Sequence, residues 1–113
     1  MSNPSLIDPA TLDELKASAG ADFVAELADT FAAEMPGMLA ELQQALAAQD
    51  AKTFRRAAHA MKSNAQSFGA LPLAELARAL ELGGLPPDGE GVAQLERLWQ
   101  QTSLVLMEAV RER

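Results

Sequence analysis

The 113-residue chain contains no cysteine. A disulfide framework and any thiolate metal site are therefore excluded. Aromatic residues are scarce, at 4%, and β-branched residues are few. That removes the usual material of β-strands and leaves alanine and leucine, which are strong helix formers. Long apolar runs are also missing, so no segment approaches the length of a membrane span. The opening Met-Ser-Asn-Pro-Ser-Leu-Ile-Asp lacks the basic-then-apolar pattern of a leader peptide. A cytoplasmic protein without membrane contact is the expectation. There is one histidine, His59.

What is present is globular in character: 49% of residues are apolar and 22% charged. The length suits one domain, residues 1–113, with a single core. The formal net charge is -7, which argues against nucleic acid as a partner, because a phosphate backbone calls for a broad basic surface. Most of the acids of the first half, among them Asp13, Glu14, Asp22, Glu26, Glu34 and Glu41, read as solvated outer faces.

Helix signals recur along the chain. Asp8 can cap a first, short helix that Gly20 ends. A second helix from about Ala21 to Ala48 carries Phe23, Leu27, Phe31, Met35, Met38, Leu42 and Leu46 at three- and four-residue steps, the spacing of a buried stripe. Pro36-Gly37 predicts a kink or a short break in it. Asp50 caps a third helix over Ala51 to Phe68, and Gly69 stops it. Pro72 opens a fourth, with Leu73, Leu76, Ala77 and Leu80 facing inward. Gly83 to Gly89 forms a loop. A fifth helix, from about Gly91 to the chain end, presents Val92, Leu95, Trp99, Thr102, Leu106 and Ala109 or Val110. The pattern predicts an all-α fold: an up-down-up-down four-helix bundle with a short additional N-terminal helix.

The third helix holds the chemistry. No Asp or Glu occurs from Ala51 through Ala74, while four of the nine Lys/Arg residues fall between positions 52 and 62. On a helical wheel Phe54, Ala58, Met61, Ala65 and Phe68 cluster, and His59 lies about 140° from their centre, facing outward. Lys52 and Gln66 share nearly its direction. Arg55 and Ser63 lie one turn below and above it, and Lys62 sits between His59 and the apolar stripe. A lone histidine or a lone basic run reads as ordinary surface. Together they place a nucleophilic imidazole among groups able to hold an anion.

Other chemistries fail on inventory. One histidine and no cysteine make no metal site, and the Glu-x-x-His pairs of di-iron bundles are absent. A Ser/His/acid triad needs an acid behind the imidazole, and none lies within a turn of His59 in sequence. No Gly-x-x-x-x-Gly-Lys-Ser/Thr loop is present, so any phosphoryl group has to come from another protein.

The run His59-Ala-Met-Lys62-Ser-Asn-Ala-Gln-Ser-Phe68-Gly69-Ala70, followed by the Leu73, Leu76, Leu80, Glu81 stripe, resembles the histidine-containing phosphotransfer (HPt) domain family. The resemblance implies a phosphoryl carrier without autokinase activity, part of a two-component phosphorelay. His59 would be the phosphorylated acceptor and donor, with Lys62 stabilising the phosphoryl group. Gly69 would mark the tight turn between the central helices. Arg55, Arg56, Ser63, Gln66 and Gly69 are the candidate partner-binding residues. Implied partners are response-regulator receiver domains and a hybrid sensor kinase. No cofactor is expected on this chain, magnesium belonging to the receiver. Ser63 and Asn64 depart from the family's usual small residues, Ser63 being still small. One buried stripe per helix suits a monomer. The competing reading is a non-catalytic HPt-like bundle that binds or inhibits a kinase or receiver.

Overall fold

The computed structural model describes residues 5–111, and every regular element in them is an α-helix. These are α1 (Pro9–Ala19), α2 (Ala21–Ala47), α3 (Ala51–Ser67), α4 (Leu71–Leu82) and α5 (Glu90–Val110). The expectation that the last helix reaches the chain end falls partly on residues 112–113, outside those described.

Local signals explain the boundaries. The Asp8 carboxylate accepts from the Thr11 amide and caps α1, and Asp50 does the same for α3 through Thr53. Gly20, at φ 94°, separates α1 from α2. α4 begins at Leu71, with Pro72 in its first turn, where a missing N–H costs nothing.

α2 shows no break at Pro36-Gly37 and moves one expected core residue to the surface. It runs unbroken through Pro36. Pro36 and Gly37 are exposed, so water can take up the carbonyl left without its N–H. Met35 and Leu39, on the other side of the same turn, are buried and hold the helix to the core. Phe23, expected inside, is 52% exposed, and Val24 is buried in its place. The reason is geometric. Each four-residue step advances about 40° around a helix, so the run 23, 27, 31, 35 winds about 120° off one face. The buried set Val24, Ala28, Phe31, Met35, Leu39 and Leu42 mixes threes and fours and stays on it.

The other stripes lie where their spacing places them. Phe54, Ala58, Met61, Ala65 and Phe68 are buried, as are Val92, Leu95, Trp99, Thr102, Leu106 and Val110. Phe31 stacks on Phe68 with centroids 5.4 Å apart and meets Trp99 edge-on at 5.1 Å, joining α2, the end of α3 and α5. α3 packs most extensively on α4 and also on α2. α2 and α4 each pack on α5. α1 lies on α2 and touches α3, and the Asp8 amide donates to the Gly69 carbonyl at 2.7 Å. The result is a long α3 with one face in the core and the opposite face, carrying His59, open to solvent.

Candidate functional site

His59 sits near the middle of α3 with its side chain 57% exposed. Its Nδ1 lies 2.7 Å from Oε2 of Glu81, near the C-terminal end of α4. The other carboxylate oxygen, Oε1, is 3.2 Å from the Lys62 ammonium. The carboxylate is only 13% exposed and bridges both basic groups of the site. Oε1 is shut off from water, and Lys62 neutralises it by charge, without the angles of a hydrogen bond. The hydrogen bond from His59 holds the Glu81 carboxyl below its ordinary range. Burial opposes that shift, and the neighbouring Lys62 adds to it.

An ionised carboxylate can only accept hydrogen bonds. The short contact therefore places a proton on Nδ1, between His59 and Glu81. In the neutral imidazole Nε2 then carries the lone pair, on the side of the ring away from Glu81. Among the described residues no serine or threonine hydroxyl bonds to the imidazole, so the geometry of a Ser/His/acid triad is not assembled. The arrangement is an exposed, oriented imidazole with one nucleophilic nitrogen.

Glu81 is the residue that a search confined to one turn around His59 overlooks. It lies 22 positions away in sequence. A signal for it does exist. His59 and Glu81 are equidistant from Ala70 in the short turn between α3 and α4. Two helices folded back on each other with equal rise per residue bring such positions level.

The remaining candidates divide by place. Lys62, placed by the wheel between His59 and the apolar stripe, is 19% exposed and folds back onto Glu81. Arg55 and Arg56 are exposed and, with Lys52, His59 and Glu81, wall a hollow of about 250 Å³. A second hollow of about 340 Å³ lies beside it at the start of α3, sharing Lys52, Arg55 and Glu81. Ser63 and Gln66 are exposed further along α3 and make no side-chain hydrogen bond to His59. Gly69 is not on this surface. It is buried under the start of α1 at φ 77°, about 15 Å of helix rise from His59.

Among the described residues no helix is long and apolar enough to cross a membrane. No group of three His, Asp or Glu side chains converges there as a metal site.

Comparison with known proteins bears on the family and the fold. Residues 26–103 match the Hpt domain. The phosphorelay protein LuxU of Vibrio harveyi is 33% identical over 79 residues, which cover 70% of this chain and 69% of LuxU. The crystal structure of histidine-containing phosphotransfer protein B (HptB) from Pseudomonas aeruginosa PAO1 aligns with a TM-score of 0.83 at 26% identity, covering 98% of this chain and 100% of that one. With the family match spanning more than half its length, the chain belongs to the Hpt domain family.

Proposed function

We propose that this protein is a phosphoryl carrier of a two-component phosphorelay, accepting a phosphoryl group on Nε2 of His59 from a receiver-domain aspartyl phosphate and passing it to another receiver. The observation that carries the reading is the Nδ1–Glu81 contact of 2.7 Å beneath an exposed imidazole. It leaves a single nitrogen free to attack, on the side a partner can reach.

In the forward step the Nε2 lone pair forms a bond to phosphorus as the P–O bond to the aspartyl carboxylate breaks. The electron pair leaves with that carboxylate. The imidazole gains positive charge, and the anionic Glu81, already bonded to Nδ1–H, stabilises it. No proton has to move before the attack. Transfer to the next receiver is the reverse step. Catalysis of this kind is mostly positioning and charge neutralisation. Lys62 contributes a cation beside the imidazole, partly balanced by Glu81. Magnesium belongs to the receiver.

Arg55, Arg56, Ser63 and Gln66 form the docking face around His59, and Gly69 supports it indirectly by holding the α3–α4 turn. LuxU, by its name a phosphorelay protein, and HptB, by its name a histidine-containing phosphotransfer protein, favour this reading. We read the whole chain as one such domain, with α2 to α5 as an up-down-up-down bundle and α1 across one end. The packing of α2 on α3, α3 on α4, α4 on α5 and α5 on α2 supports it.

The test is incubation with a phosphorylated receiver domain. The wild-type chain is expected to take up acid-labile, base-stable phosphate, and His59→Gln to take up none. Labelling of the His59→Gln chain to the wild-type level would overturn the assignment. Phosphate-free binding that serves the full biological output in His59→Ala would favour the purely binding bundle instead.

A further inference from the structure

The site as built has a charge imbalance. Lys62, the cation three residues after His59, already faces the Glu81 carboxylate at 3.2 Å. A phosphoryl group arriving on Nε2 brings up to two negative charges, and Lys62 can give it only part of one positive charge. Lys52, Arg55 and Arg56 form no ion pair among the described residues. They wall the same 250 Å³ hollow as His59. Helical side chains lean toward the N-terminus, so the imidazole overhangs the turn that carries Arg55 and Arg56. Glu81 engages Nδ1, which leaves Nε2 as the ring nitrogen free to carry a group.

Of the three cations, Arg55 is placed best. It is four residues before His59, in the same row of the helix surface and one turn nearer than Lys52, which shares both hollows with it. Its guanidinium can present two parallel N–H donors to two phosphoryl oxygens, which a lysine cannot. We propose that the phosphoryl group on His59 lies in the hollow on the N-terminal side of the imidazole, and that Arg55 is its clamp. Arg55 is then a phosphoryl-binding residue as well as part of the docking face. Arg56 walls the same hollow from the other flank of the His59 row and serves as the control for diffuse attraction. This rests on the reading of His59 as phosphoryl acceptor and adds where the group is held.

The clamp can be tested without a partner protein, using phosphoramidate as donor. Nε2 forms its bond to phosphorus as the donor's P–N bond breaks and the amine leaves as ammonia. Uptake is followed by the 31P resonance of phosphohistidine in the wild type, Arg55→Ala, Arg55→Lys, Arg56→Ala and His59→Gln, with circular dichroism confirming the helical fold of each. Arg55→Ala is expected to slow uptake by up to about fivefold, the upper end of the range open to an exposed charge pair, and to shift the phosphohistidine resonance. Arg55→Lys should restore part of the rate, and Arg56→Ala should change either quantity less. Equal losses in Arg55→Ala and Arg56→Ala would mean diffuse attraction and overturn the clamp. So would an Arg55→Ala chain with the wild-type rate and resonance. Those outcomes leave His59 as the acceptor. Undiminished uptake by His59→Gln, or none by the wild type, instead overturns the reading on which the clamp rests.

Discussion

At the scale of single residues the side chain that distinguishes His59 is Glu81, which contacts the imidazole from α4. It accepts from Nδ1, and in the proposed transfer it would offer an anion to the charge developing on the ring. Glu81→Gln keeps an acceptor in place but removes that anion. Phosphotransfer from a receiver is expected to slow several-fold, with His59 still the residue labelled. The same carboxylate gives a pH signature. Its folded-state pKa is lowered from the ordinary value of 4.5, first by the His59 hydrogen bond. A lowered carboxylate pKa contributes stability above the unfolded value that is lost as pH falls through the folded value. The stability difference between wild type and Glu81→Gln in urea titrations should therefore be full at pH 6 and close as pH drops below 4.5. A difference constant from pH 6 to pH 3 would show that the His59–Glu81 contact does not hold the ionised form.

At the scale of elements, the α3–α4 turn aligns the site, since it sets His59 level with Glu81. Gly69 makes that turn at φ 77°, and a Cβ there would lie 2.9 Å from the Asp8 carbonyl oxygen and 3.0 Å from Cβ of Thr11. Gly69→Ala therefore meets both a left-handed backbone cost of about 1–2 kcal/mol and a clash with the start of α1. Gly20 has a positive φ too, but a Cβ added there would find nothing within 4 Å. Gly69→Ala should lose clearly more stability than Gly20→Ala in denaturant titrations, and equal losses would refute the close approach of α1. A glycine after a helix is legible in sequence as a stop signal. The weight of α1 upon it is not, because Asp8 and Gly69 meet only in three dimensions.

At the scale of the whole molecule, α2, the end of α3 and α5 meet around Phe31. Its ring touches Phe68 and Trp99 and is 3% exposed. Phe31→Ala is expected to cost about 3–5 kcal/mol, read as a lower urea midpoint. While the chain stays folded, uptake of phosphate on His59 should persist, since the cluster lies in the core and the imidazole on the solvent side. The charge distribution acts at this scale too. A chain of net charge -7 keeps a strip of α3 free of acids and rich in Lys and Arg, so the helix face around His59 carries the sign opposite to the net charge of the molecule.

Much of this protein is legible in its residue order because helices are local structures. Their caps, stops and stripes depend on neighbours three and four positions away, and the stripes of α3 and α5 follow from spacing alone. The outward direction of His59 and the basic strip beneath it are likewise properties of one helix. Phe23 marks the limit of such reading: which part of a winding apolar stripe is buried depends on the partner helices. Tertiary structure alone decided that Glu81 reaches across from α4, that Lys62 folds inward onto it, and that Nε2 is the nitrogen left free. Those contacts join residues about twenty positions apart; equal spacing from the α3–α4 turn brings positions 59 and 81 level, but only the packing of the two helices turns their side chains toward each other.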